Sequence, residues 1–264
     1  MENTKVRFGE WISEAWNMLT AKWQTWLAIT IIYMIPIGVI YVMMINFSLN
    51  TLPPFTDLND LFQIMNDHTL HLFVLQLIMI FLITFVKAFF LGGIFKTAFK
   101  QLNGEEITPS DIFNGTEFYL NVLVASLIIS LFEFFGSFLY YIPALITNGL
   151  FFLTIPLIVR KDLPPLEALK ESINVTKNNW IMFSLFAFFV ELLAALGIFA
   201  CCVGIIFTLP LLFLTAAVAY RDCYEPELKP MSRVDQLYSK YCRSCGAAIP
   251  VHAAVCDKCG ASQV

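Results

Sequence analysis

Uncharged, almost wholly apolar stretches recur along the chain, and their lengths set the fold. A hydrocarbon layer about 30 Å thick is crossed by roughly 20 apolar residues in helical form. Trp26 to Ile45, with Pro36 and Gly38 inside it, has that length, as does Leu72 to Ile94, which is interrupted only by Lys87. Asn121 to Val159 and Trp180 to Tyr220 are each about twice as long, so each must fold back on itself. The reversals are expected near Gly136 to Ile142 and Gly197 to Gly204. The pattern predicts an all-α polytopic membrane protein of six transmembrane helices arranged as three hairpins. A barrel is excluded because its strands would alternate polar and apolar residues over roughly 10 positions, and these runs do not alternate.

A surface segment precedes each hairpin. Phe8, Trp11, Ile12, Ala15, Trp16, Leu19 and Trp23 fall at helical spacing, with Glu10, Ser13, Glu14 and Asn17 between them. This is an amphipathic interfacial helix whose tryptophans suit the headgroup layer, although the same stripe would also serve to pack on other cytoplasmic segments. Thr108-Pro109-Ser110-Asp111 has the hydroxyl, proline and acid of a helix start. Pro164-Pro165-Leu166-Glu167 opens a third segment, with Leu166, Leu169, Ile173 and Thr176 expected on one face and Lys170, Glu171 and Asn174 on the other. The chain therefore reads as three degenerate copies of a surface helix followed by two spans.

Composition agrees with this and narrows the function. The chain is 58% hydrophobic and 15% aromatic, with only 14% charged residues, and its mean hydropathy is +0.73. These values exclude a water-soluble fold and a disordered chain. A net charge of −4 argues against nucleic acid as a partner. The segment from Asn46 to His71 carries Asp57, Asp60 and Asp67 but no Lys or Arg, so all 16 basic residues lie toward the other side. Both termini are accordingly expected in the cytoplasm. The first 25 residues lack a cleavable signal pattern, which leaves the first span as the insertion signal.

The tail changes character. Cys242-x-x-Cys245 and Cys256-x-x-Cys259 are two knuckles, followed by Gly246 and Gly260. Four thiolates at this spacing predict a closed, structural Zn²⁺ site in a zinc ribbon, and a cytoplasmic location disfavours disulfides. The expected domains are residues 1–24 (surface helix), 25–221 (membrane domain), 222–240 (linker) and 241–264 (ribbon). His252 reads as a ribbon surface residue, Cys201 and Cys202 as small packing residues at an outer turn, and Cys223 as a thiol just past the last span.

Within the bilayer, Glu133 and Glu191 stand out, because an ionised carboxylate at mid-depth costs about 2.5–3.5 kcal/mol on the insertion scale. Each acid lies a similar distance into a span running outward, so the two form a candidate intramembrane polar site for a cation or proton, or else each is protonated or bonded to a neighbouring helix. Lys87 is expected to reach the inner surface. Asp67, His68 and His71 read as solvated loop residues. No phosphate-binding loop, nucleophile elbow or HExxH is present, so the chain reads as non-enzymatic.

Pro156-Leu157-Ile158-Val159 with its basic pair, Glu167-Ala168-Leu169-Lys170-Glu171-Ser172, Asn179-Trp180, and the Gly204 to Pro210 segment leading to Ala219-Tyr220 resemble a group of uncharacterised bacterial six-span membrane proteins. That group is similar to the membrane domain fused to some glycerophosphodiester phosphodiesterases. The resemblance spans most of Glu10 to Tyr220 and implies a bacterial inner-membrane location. It transfers no activity, since the catalytic domain is missing. The tail resembles short bacterial zinc ribbons, which implies an interaction module. The expected function is a scaffold or regulator that docks a cytoplasmic protein through the ribbon, with a small secondary transporter using Glu133 and Glu191 as the alternative. The lipid bilayer is the one certain partner, and assembly into homo-oligomers is compatible with the sequence.

Overall fold

A computed structural model describes residues 6–51, 57, 59–60, 67–137, 142–199, 204–226, 239–242, 244–245, 248–250 and 259–262. The chain divides into two compact units, Met1–Tyr224 and Glu225–Val264. The first is predominantly helical: α1 (Phe8–Ala21), α2 (Trp23–Thr51), α3 (Thr69–Leu102), α4 (Tyr119–Ser137), α5 (Ile142–Leu150), α6 (Thr154–Lys161), α7 (Pro165–Thr176), α8 (Trp180–Phe199) and α9 (Gly204–Tyr224). Among the described residues, six stretches are long and apolar enough to cross a membrane. They are α2, α3, α4, the α5–α6 pair, α8 and α9, which makes the protein an all-α polytopic membrane protein. The ends of α4 and α5, and of α8 and α9, bracket the two expected reversals. Residues 138–141 and 200–203, including Cys201 and Cys202, lie outside the described residues.

The last span is the hub. Of the residues in its most apolar window, 61% are buried, against 11% for α3. Between Pro210 and Arg221 every residue but Leu212 is buried, because a helix apolar on every side has to be surrounded. Phe213 meets Tyr33 of α2 and Phe95 of α3 edge-on, at 5.8 and 6.0 Å between ring centres. Tyr220 meets Phe99 of α3 at 5.3 Å.

The amphipathic stripe of α1 goes into protein contact. Trp11, Ala15 and Leu19 are buried, whereas Trp16 and Trp23 are about half exposed. The Trp11 ring lies 5.1 Å from Phe186 of α8, and its indole N–H donates to Asp222 at 3.1 Å. Arg221, buried at the end of α9, donates to both carboxylate oxygens of Glu14 and also bonds Asp222. The expectation that this face rests among lipid headgroups therefore gives way, for Trp11, to docking on the ends of α8 and α9. A second tie runs from the Trp26 indole to Gln101 Oε1 (2.7 Å) and from Gln101 Nε2 to the Met18 carbonyl (2.7 Å), joining α1, α2 and α3.

The other two surface segments differ from the sequence expectation in instructive ways. Thr108 begins a helix as predicted, with its N–H donating to Asp111 Oδ2 at 2.7 Å, but the segment continues as two short 3₁₀ turns, Pro109–Phe113 and Thr116–Phe118. The cause is backbone contact. A Cβ on Gly92 would sit 2.6 Å from the Gly115 carbonyl oxygen, and one on Gly93 would overlap the Ile112 carbonyl. The segment lies directly on α3 and has no room for a full helical turn. In α7, Leu166 is 60% exposed, and the buried face is instead Ala168, Leu169, Ser172, Val175 and Thr176. Two hydroxyls on a buried face call for partners, and the end of α5 and the turn after it supply them.

The second unit contains a two-stranded antiparallel ribbon, β1 (Ser239–Tyr241) and β2 (Ala248–Pro250), in the register Ser239↔Pro250 and Tyr241↔Ala248. Most of the linker, together with His252 and Cys256, lies outside the described residues.

Candidate functional site in the membrane and metal centre in the ribbon

The fourth span is discontinuous. Helix α5 stops at Leu150 and α6 starts at Thr154, with a turn over Phe151–Leu153 between them. Such a break exposes backbone groups that hydrocarbon cannot satisfy, so other protein groups must do so. Ser172 Oγ donates to the Leu150 carbonyl at 2.7 Å and accepts from the Leu153 N–H at 3.3 Å. Thr176 Oγ1 adds a second donor to the same carbonyl at 3.2 Å. Pro156, in the first turn of α6, lacks only an N–H that would have had no helical acceptor there. Together these explain the polar buried face of α7.

Beside the break lies a cavity of about 260 Å³ whose lining includes Tyr33, Lys87, Glu133, Asn148 and Glu191. The two acids come from different hairpins. Glu133 lies fourteen residues into α4 and Glu191 eleven into α8, which is roughly 21 and 17 Å of helix from Tyr119 and Trp180. Glu191 is thus near the middle of α8, whereas Glu133 is four residues from the end of α4. Asn148, at the end of α5, donates to the Glu191 carboxylate at 3.0 and 3.3 Å. Glu133 and Asn148 are half-buried, while Glu191 and Lys87 are exposed, so the charged cluster reaches the outside of the bundle.

Lys87 corrects the sequence expectation. It sits fifteen residues before the end of the 34-residue α3 and lines the cavity with the two acids. Tyr33 and Asn148 had no distinguishing signal in the sequence. For Lys87 the signal was available, since the only charge in the apolar run of the second span needs a counter-charge at its own depth.

In the ribbon, the sulfurs of Cys242, Cys245 and Cys259 lie within 4.8 Å of one another, with 3.6 Å between Cys242 and Cys259. Four sulfurs at about 2.3 Å from a tetrahedral ion would be about 3.8 Å apart, so the spacing suits a metal and is far too long for an S–S bond. The Ser244 N–H points at Cys242 Sγ (3.4 Å), as a knuckle amide should, and Gly260 takes the positive φ of +70° expected after the second knuckle. These three thiols could hold a metal ion. The expected fourth ligand, Cys256, lies outside the described residues. Among the described residues this is the one group of three or more ligating side chains close enough to share an ion, and Asp67, His68 and His71 do not form another.

Comparison with family models, with curated proteins and with solved structures gives no match for this chain.

Proposed function

We propose that the membrane domain is a small secondary transporter, or a subunit of one, that carries its solute past Glu133 and Glu191 without enzymatic chemistry. The observation behind this reading is the meeting of two carboxylates from separate hairpins in one cavity beside a broken helix. Interrupted spans at mid-depth, with ionisable residues facing a cavity, are how membrane proteins bind and pass polar solutes. Purified chain in proteoliposomes, screened with small amines, amino acids and inorganic cations against an internal pH-sensitive dye, should show solute-dependent flux. Replacing both acids, Glu133→Gln with Glu191→Gln, should lower that flux at least about tenfold, the effect of removing one ordinary charge contact of ~1.4 kcal/mol. Flux unchanged in the double variant would remove the reading.

A second reading concerns the ribbon, and the clustering of Cys242, Cys245 and Cys259 favours it. Here Zn²⁺ is the bound ion, Cys256 completes a closed shell, and the ribbon docks a cytoplasmic protein. In this proposal both termini face the cytoplasm of a bacterial cell, as the one-sided distribution of Lys and Arg suggests. External thiol reagents should then fail to label the ribbon in intact cells, and labelling would reverse the orientation.

A further inference from the structure

Building on the transport reading, we infer that the solute of this cavity is a small organic monocation, an alkylated ammonium about the size of tetramethylammonium. Charge is the first observation. With both carboxylates ionised, Glu133, Glu191 and Lys87 sum to −1, so the cluster is neutralised by one positive charge and no more. The wall is the second. Phe95, Phe151, Phe152, Phe213 and Tyr33 all line the cavity, and aromatic faces attract a weakly hydrated cation that needs no hydrogen-bond acceptors.

A hard metal ion fits poorly. Calcium takes six to eight oxygens and magnesium six, whereas the two acids offer four carboxylate oxygens, and Asn148 already bonds both of those on Glu191. Tyr33 closes one wall: its side chain is only 4% exposed and it lines the cavity. A volume near 260 Å³ sits at the low end for ligand pockets, which suits a compact cation rather than a large one.

Lys87 then acts as a tethered competitor. Its ammonium lines the same cavity and competes with the solute for the two carboxylates. The test is equilibrium binding of labelled tetramethylammonium to the full chain in nanodiscs. Saturable binding at one site per chain is expected, weakened about tenfold in Glu191→Gln and several-fold in Phe213→Leu. Lys87→Gln should tighten it several-fold, a gain that damage to the fold cannot mimic. Absence of saturable binding to the wild-type chain, or tightness unchanged in both Glu191→Gln and Lys87→Gln, would overturn the inference. If tetramethylammonium fails to bind while another solute shows flux that depends on the two acids, only the organic-cation assignment falls. If no acid-dependent flux exists for any solute, the transport reading falls with it.

Discussion

Ser172 holds both sides of the break beside the membrane site. Its hydroxyl is the donor for one loose end of the fourth span and the acceptor for the other. Ser172→Ala would leave the Leu153 N–H unpaired in a buried position, at a cost of about 2 kcal/mol. In a chain of this size that is a melting temperature roughly 4–8 °C lower, measurable by circular dichroism in detergent. Thr176→Val should cost less, because Leu150 would keep its Ser172 bond. Equal losses in the two variants would show that the hydroxyls do not hold the break in the way their geometry implies.

At the scale of elements, the spans were legible in the sequence because nothing else resembles twenty consecutive apolar residues, and both reversals fell where small residues interrupt the runs. The break at Phe151–Leu153 was hidden for the same reason, since its residues are as apolar as the helices on either side. Glu133 and Glu191 were visible as misplaced charges, while their meeting in one cavity depended on helix packing that periodicity does not encode. The surface segments share a signal that can be read only once the partners are known. Glu14-x-x-Asn17, Asp111-x-x-Asn114 and Glu171-x-x-Asn174 repeat an acid and an asparagine three residues apart. Two of the acids pair with the basic residue ending a span, Asp111 with Lys100 and Glu14 with Arg221.

The close seat of the 3₁₀ segment on α3 makes a further element-scale prediction. Gly93→Val has no space for its side chain against the Ile112 backbone, so the segment should lift from α3 and lose the Lys100–Asp111 pair. Limited proteolysis should then cut within 103–118 faster than it does in the wild-type chain. Equal protection in the variant would contradict the contact.

For the whole molecule, the two units make separate demands. Among the described residues, the hydrophobic core of the first unit draws only on positions up to Tyr224. Among the ribbon's described residues the buried hydrophobic position is Cys242, and a structural metal site contributes on the order of 10–16 kcal/mol of folding free energy. Elemental analysis should find one zinc per chain. A strong chelator, or Cys242→Ser, should remove it and unfold the ribbon while the helical signal of the membrane unit persists. Collapse of that signal on chelation would mean that the first unit does not stand alone.

The clasp between Arg221 and Glu14 joins residues 207 positions apart, and this bears on how the protein is made. A ribosome adding about 5–20 residues each second needs roughly 10–40 s to cover that distance. Throughout that interval Glu14 lacks the guanidinium that clasps it, so a product terminated before Arg221 would leave the amino-terminal helix without this tie to the last span.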